Sequence, residues 1–385
     1  MFDFLPKLKT LLRFSQTNSS NKPDNDRIQT NMPQSAAEHR SQDRYQHIHH
    51  LANSTEGELG IVRSDRTGKL LVAKHTKARQ VIRLGDGPIF TYPNEAKILL
   101  KTLGGADHPN IIHLFGAERS CIEPGRHFLL LEYCSGGDLL DQIGQFTKMG
   151  KAAYGASRHL LLRKVLPADT LAHPPKFAGN CLVPEMFVLH VFVGLVWALA
   201  FLHDASEHEA VIHGDLKPDN VLLRWSSRNE CGMPDIVLAD FGASQLASKT
   251  IGVTGTPGYD SPEVVGIAQL KTTAPQAFEW KRKQRVMSTK SDIYQLGHLM
   301  YLLTTMQLWT TGADPEALTL PQEYTTQHCR HLATTVAWCF AVRPTKRPSA
   351  TEDLLTVIDT FREQRDGLFR ERGPLPQACW RKAVV

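Results

Sequence analysis

Two polar runs, each set against a short apolar stretch, constrain this chain more than any other part of it. The first is His213-Gly-Asp-Leu-Lys-Pro-Asp-Asn220, which runs straight into Val221-Leu-Leu223. The second is Ile236-Val-Leu-Ala-Asp-Phe-Gly242, in which the lone carboxylate of Asp240 stands at the end of a strand-like segment. Short apolar runs bounded by turn residues read as strands, so both polar groups sit on loops pinned by buried backbone. A chain of 385 residues has room for one large two-part unit with tails around such a core.

Polar groups so spaced can converge on one phosphate. Asp215 can orient an attacking hydroxyl and accept its proton, Lys217 can neutralise charge on a transferred phosphoryl group, and Asn220 can hold a metal ion. Asp240, followed by Phe and Gly, suits Mg²⁺, which takes few carboxylates and completes its shell with phosphate oxygens. Alone, Asp-Phe-Gly recurs by chance; following the Asp215 loop it is specific.

The remainder divides by character. Residues 15–44 are rich in Ser, Asn, Gln, Asp and Pro and lack apolar periodicity, which predicts a disordered tail. Ahead of them, residues 1–14 place Leu5, Leu8, Leu11 and Leu12 on one helical stripe, a docking or frayed terminal helix whose Asp3 and Pro6 argue against a targeting segment. Gly60 to Val62 and Leu70 to Ala73 read as strands of a hairpin turned at Ser64 to Gly68, Asn94 to Leu103 as a helix, and Ile111 to Phe115 and His127 to Glu132 as further strands. Beyond Gly136-Gly137 helices dominate: Phe187 to His203, Ser291 to Leu303, Ala333 to Phe340 and Glu352 to Arg362. A strand-rich first part and a helix-rich second part predict an α+β fold of two lobes with a cleft between them. Stretches near 144–183 and 264–287 read as irregular insertions.

Taken together, the two polar runs identify the chain as a member of the eukaryotic-type protein kinase superfamily, over residues of about 45–365. The resemblance implies a bilobal fold with a β-rich N-lobe (45–133) and a mainly helical C-lobe (134–365), a tail at 1–44 and another at 366–385. It implies ATP and Mg²⁺ as cofactors and protein substrates with Ser or Thr acceptors. Thr55-Glu-Gly-Glu-Leu-Gly-Ile-Val62 resembles the loop that covers the nucleotide phosphates, with Thr55, Gly57, Gly60 and Val62 at its positions. Val72-Ala-Lys74 resembles the strand carrying the phosphate-gripping lysine, Ala73 lining the nucleotide, and Glu95 the helix glutamate that pairs with Lys74. Leu129 to Cys134 resembles the adenine hinge, with Leu131 as gatekeeper and the backbone of Glu132 and Cys134 toward the base. Asp138 matches the ribose-side acid, and Leu222 lies where the base is floored.

Farther on, Gly255-Thr-Pro-Gly-Tyr-Asp-Ser-Pro-Glu263 is similar to the substrate-docking end of the activation segment, with Ser261 where Ala is usual. The resemblance pairs Glu263 with Arg347 and makes Asp292 a brace beneath the Asp215 loop. Lys217 together with Thr256 is the serine/threonine pattern, so Thr256 joins Asp215, Lys217, Lys74 and Glu95 as catalytic, with Asn220 and Asp240 as metal ligands. Asp138 and Asp219 resemble positions that face substrate arginines.

Two positions depart from the pattern: Thr55 replaces a glycine of the phosphate loop, and Gly214 replaces the arginine that grips a phosphorylated activation loop. Candidate loop acceptors Ser248, Thr250 and Thr254 therefore lack that anchor. Two alternatives stay open: a pseudokinase scaffold, and a small-molecule phosphotransferase with kinase-like lobes. The charge of +5, from 44 basic and 39 acidic residues, calls for no specific nucleic-acid partner, the basic run Lys281 to Arg285 included. No transmembrane segment is read from the chain, and seven scattered cysteines without a Cys-x-x-Cys pair suit the reducing cytosol or nucleus. A regulatory partner and the oligomeric state stay open.

Overall fold

The computed structural model describes residues 44–53, 58–77, 80–82, 90–104, 108–119, 126–154, 183–206, 208–227, 229–250, 252, 254–281, 284, 286–321, 324, 331–381, 383 and 385. Thr55 and Gly57, most of the N-terminal tail, and the 155–182 part of the first expected insertion lie outside them. Two compact units form: described residues of Met1–Ala106 and Ile112–Tyr133 make the first, those of Asp107–Ile111 and Cys134–Val384 the second.

The first unit is a five-stranded antiparallel sheet in the order β1-β2-β3-β7-β6. Its strands are β1 (Tyr45–Asn53), β2 (Glu58–Ser64), β3 (Leu70–Lys77), β6 (Leu114–Arg119) and β7 (Arg126–Glu132). Side chains alternate across a strand, so register decides which ones meet. Val62 pairs with Leu71 and Ala73 with Leu130, and these four close with Phe128 into one buried cluster. Ile61 pairs with Val72 and Leu59 with Lys74 on the other face.

The β2–β3 turn falls where its residues predict it, closed by Thr67 N–H on Ser64 Oγ at 3.0 Å. The predicted helix begins as α1 (Asn94–Ala96) and widens at once into a π turn over Lys97–Thr102. Three local expectations change. β1 was not anticipated, because Tyr-Gln-His-Ile-His-His carries no clean apolar alternation. The span between Lys74 and Asn94, to which the sequence reading assigns no element, contains a small hairpin, β4 (Gln80–Ile82) with β5 (Phe90–Tyr92). The strand expected from Ile111 starts at Leu114, since Ile111 instead bridges Leu238 of the second unit, to which it belongs.

The second unit is built around α3 (Glu185–His203), whose apolar residues run all the way round and are nearly all buried, the mark of a core helix. With 19 residues and a mean hydropathy of 2.1 it is long and apolar enough to cross a bilayer, but 83% of that stretch is buried inside the protein. Phe192 of α3 meets Phe361 of the C-terminal helix Leu355–Arg372 at 4.6 Å between ring centroids, and Arg365 Nη1 donates to buried His190 Nδ1 at 3.1 Å. Two short hairpins carry the loops: β8 (Val211–Ile212) with β11 (Gln245–Leu246), and β9 (Val221–Arg224) with β10 (Asp235–Leu238).

Among the described residues, helix takes the start of the first expected insertion and most of the second. α2 runs Leu139–Tyr154, and 264–287 holds α4 (Pro262–Thr273) and α5 (Pro275–Lys281). Pro262 and Pro275 each start a helix, where a missing N–H costs nothing and φ is preset. α6 (Thr289–Thr305) is capped by Ser288 and Ser291 in a reciprocal pair, and α7 (Leu332–Cys339) follows. The stretch 366–385, expected to be a tail, instead begins as helix to Arg372, here α8, and ends with Trp380 buried.

Candidate active site

In the first unit β3 holds Lys74 with its side chain on the face opposite the Val62 cluster. Its Nζ donates to Glu95 Oε2 at 2.7 Å, with only 6% and 3% of the two side chains exposed, so each charge answers the other's burial. The first turn of α1 supplies Glu95.

Alternation corrects two positions of the expected nucleotide lining. Ala73 is adjacent to Lys74 and faces the other way, into the cluster with Leu71, Phe128 and Leu130; Val62 lies in that same cluster. The residues sharing the Lys74 face are Ile61 and Val72, with Leu131 paired to Val72. The β2–β3 hairpin sets this register, and spacing from the glycines could not reveal it. Gly60 is buried, where a Cβ would lie 3.2 Å from His47 Nε2. Glu132 closes β7, its N–H donating to His113 O at 2.9 Å.

In the second unit the residues 213–220 are held from below by α6. Asp292, fully buried, accepts from His213 N and Gly214 N at 2.8 Å each and from His203 Nε2 at 2.9 Å. Gln295, one turn along the same face, accepts from Leu216 N at 3.0 Å and donates to Gly214 O at 3.2 Å. His213 Nε2 donates to Ala239 O at 3.0 Å, tying this loop to the one that carries Asp240. Phe241 is fully buried beneath it, its ring 5.0 Å from that of His213.

On this support three residues close around the Asp215 carboxylate. Asp215 Oδ1 accepts Thr256 Oγ1–H at 2.7 Å; Oδ2 accepts Lys217 Nζ and Asn220 Nδ2, both at 3.0 Å. Lys217 also donates to Thr256 at 2.7 Å, and Asn220 Nδ2 to Asp215 O at 2.7 Å. Since Asn220 spends its amide N–H₂ on Asp215, its oxygen is left as the acceptor.

Asp240 sits at φ +62°, a left-handed conformation that costs a non-glycine residue of order 1 kcal/mol and that gathers at functional sites. Its Oδ1 accepts Gly242 N–H at 3.4 Å. A carboxylate and an amide oxygen are the hard donors that Mg²⁺ takes, so Asp240 and Asn220 fit that ion. Among the described residues no cluster of three or more His, Cys, Asp or Glu side chains suits a metal.

Beyond the loop, Asp138 and Leu222 meet as an isolated bridge, with Leu223 N donating to Gly137 O at 2.9 Å. Burial above all raises the Asp138 carboxyl to about 6. Cys134 is buried and its carbonyl accepts Gly137 N at 3.2 Å. Glu263 and Arg347 form a two-pronged pair at 2.8 Å on both arms, the Arg347 side chain being wholly buried. Burial works against the charged form of Glu263, but the hydrogen bonds and charge of Arg347 outweigh it and hold the carboxyl below its ordinary range.

Sequence spacing missed Gln295, His203 and Asp260. Gln295 was findable, three residues from Asp292 on one helix; His203 was not, since only the chain path brings it to Asp292. Asp260, four residues past Thr256, has its carboxyl raised to about 7 by burial and then by the charge of Asp215.

Residues 45–356 match the protein kinase domain. The chain belongs to the protein kinase family. Similar proteins include "Serine/threonine-protein kinase Nek5" of Mus musculus, 24% identical over 346 residues that cover 84% of this kinase and 45% of that protein. "Meiosis-specific serine/threonine-protein kinase MEK1" of Saccharomyces cerevisiae is 27% identical over 263 residues, 66% of this kinase and 43% of that protein. "Serine/threonine-protein kinase ATG1c" of Arabidopsis thaliana is 29% identical over 209 residues, 54% and 20%. The kinase spans less than half the length of each of these relatives.

Proposed function

We propose that this kinase transfers the γ-phosphoryl group of ATP to Ser or Thr hydroxyls of protein substrates. The observation that carries the reading is the Asp215 cluster, in which one carboxylate is held by Lys217, Asn220 and Thr256 at 2.7–3.0 Å. Asp215 orients the substrate hydroxyl and takes its proton as oxygen bonds to the γ-phosphorus and the bond to the bridging oxygen breaks, releasing ADP. Lys217 offsets the charge that develops on the transferred group. In the first unit Lys74, oriented by Glu95, holds the nucleotide phosphates, with Ile61 and Val72 as apolar lining on its face; in the second unit Asp138 accepts from the ribose. Mg²⁺, when held by Asp240 and Asn220, supplies charge neutralisation at the phosphate oxygens.

Thr256 and Lys217 support Ser/Thr over Tyr acceptors, as do the names of the similar proteins. Asp219, exposed beside Asp215, favours basic residues N-terminal to the acceptor. Seven cysteines scattered along the chain without a Cys-x-x-Cys pair support a reducing cytosolic or nuclear setting.

A degenerate Ser/Thr peptide library with ATP and Mg²⁺ tests the reading. Asp215→Ala should lower turnover by several orders of magnitude while ATP binding persists, and Lys74→Met and Asp240→Asn should each abolish transfer. Wild-type protein that binds ATP and phosphorylates nothing would make it a scaffold.

A further inference from the structure

Beyond α8 the chain turns back along the second unit. Gln377–Cys379 form a single 3-10 turn, and Trp380 follows, only 4% exposed. Its ring lies among those of Trp225, Phe187 and Phe146, with centroids at 5.3, 5.5 and 6.0 Å. A buried aromatic anchor of this size dominates the energetics of any docked segment.

Helix α2 reads the backbone of this segment as well. Gln142, buried, donates from Nε2 to Cys379 O at 2.8 Å and accepts Arg381 N–H on Oε1 at 3.1 Å, while Gln145 Nε2 donates to Ala378 O at 3.3 Å. Both ends of one buried amide are thus spent on the C-terminal segment. Truncating the segment would leave them unpaired.

The anchor delivers Arg381 to a specific place. Its guanidinium pairs with Asp141 and lies against Gly137 so closely that a Cβ there would stand 2.5 Å from Nη1. Gly137 precedes Asp138, whose Oδ1 accepts Asp141 N–H at 2.7 Å at the start of α2. A larger residue at 137 would displace the arginine.

We propose that Gln377–Arg381 is part of the nucleotide site, with Trp380 as its anchor and Arg381 as the positioning residue for Asp138. The proposal rests on the kinase reading above. Four groups act on the Asp138 carboxyl: Asp141 on its own helix, Asp219 on the 213–220 loop, Arg381 on the C-terminal segment, and the Asp141 N–H. After burial, the two carboxylates favour protonation; the N–H and Arg381 favour the ionised form. A protonated Asp138 offers the ribose hydroxyls one acceptor fewer. Arg381 therefore keeps the ribose acceptor available near neutral pH.

The test measures binding of ATP and of 2′,3′-dideoxy-ATP, with KM for ATP and for peptide, from pH 5.5 to 8.5 in the full chain. Wild type should lose ATP affinity as pH falls through about 6. Removing the positive charge raises the Asp138 midpoint, so Arg381→Ala should bind ATP several-fold more weakly at pH 7, converge on wild type by pH 8.5, and leave KM for peptide unchanged. Arg381→Lys should restore the midpoint. Dideoxy-ATP, lacking both hydroxyls, should bind wild type and Arg381→Ala alike. Trp380→Ala should reproduce the ATP-selective loss with a lower Tm. An unmoved midpoint in Arg381→Ala, or an equal loss for both nucleotides, overturns the proposal. Because binding needs no transfer, a wild type that binds but does not phosphorylate fails the kinase reading and still decides this one; a wild type that binds no nucleotide at any pH overturns both.

Discussion

Gly214 is the position where a single methyl group should tell most. Its φ is +79°, and a Cβ built there would meet Thr254 Oγ1 at 2.9 Å, Met287 Cε at 3.3 Å and Ala243 O at 3.4 Å. An L-residue pays about 1–2 kcal/mol for the left-handed conformation. Pushing the Thr254 hydroxyl aside adds about 0.5–1.5 kcal/mol, the cost of a side chain forced off its rotamer. Gly214→Ala should therefore cost about 1.5–3.5 kcal/mol in total, read as a fall in the urea midpoint at constant m. Thr254→Ala removes the clashing oxygen but not the backbone cost, so the double variant should recover about 0.5–1 kcal/mol as coupling. Catalysis should suffer more than stability, because the Gly214 N–H and C=O are both tied to α6 and the next residue is Asp215. The assay is peptide turnover beside urea unfolding. A cost below about 0.5 kcal/mol, or no coupling to Thr254, would refute the argument.

The same crowding bears on regulation. No arginine stands at 214 to hold a loop phosphate, and Gly255 lies so near that its own Cβ would be 2.7 Å from Gly214 O, so the segment is seated by packing. Phosphatase-treated enzyme should keep most of its peptide-kinase rate; a hundredfold loss regained on rephosphorylation, about 2.7 kcal/mol, would contradict this. Glu263→Ala strands a buried guanidinium and should cost about 3–5 kcal/mol by urea unfolding, with a cost under 1 kcal/mol counting against the pair as a structural brace. Asp260, whose folded carboxyl is raised to about 7, gives stability that is present below its unfolded value near 4 and lost as pH rises through 7. Asp260→Asn should thus gain on wild type by about 1–2 kcal/mol between pH 4 and 8, after allowance for its solvated side, and equal gains at both ends would exclude titration as the cause.

Much of the site was legible because its parts are short-range. Asp215, Lys217 and Asn220 lie within six residues of each other, and a loop that short, leading into an apolar strand, can bring them together almost regardless of what surrounds it. Asp240 and Phe241 were legible for a related reason, since a strand ending in a carboxylate and a buried aromatic has a fixed polarity. Glu95 could be paired with Lys74 because a helix follows the strand, although the β4–β5 hairpin between them was not foreseen. The insertion helices at 262–281 were missed for want of amphipathic periodicity, most of their residues being exposed.

What the amino-acid sequence determined by itself was the chemistry: which acids, bases and amides are present, at what spacing, and that strands precede helices. What only tertiary structure decided was facing and company. The register of the β2–β3 hairpin puts Ala73 and Val62 in the buried cluster and gives Ile61 and Val72 the Lys74 face, because side chains alternate with period two and register is set across strands. Likewise Trp380 and Arg381 look like any tail until α2 and α3 provide an aromatic pocket and a buried amide for them. Periodicity and spacing are properties of a single segment; burial and pairing belong to segments brought together from far apart along the chain, and their partners cannot be named until the chain has closed on itself.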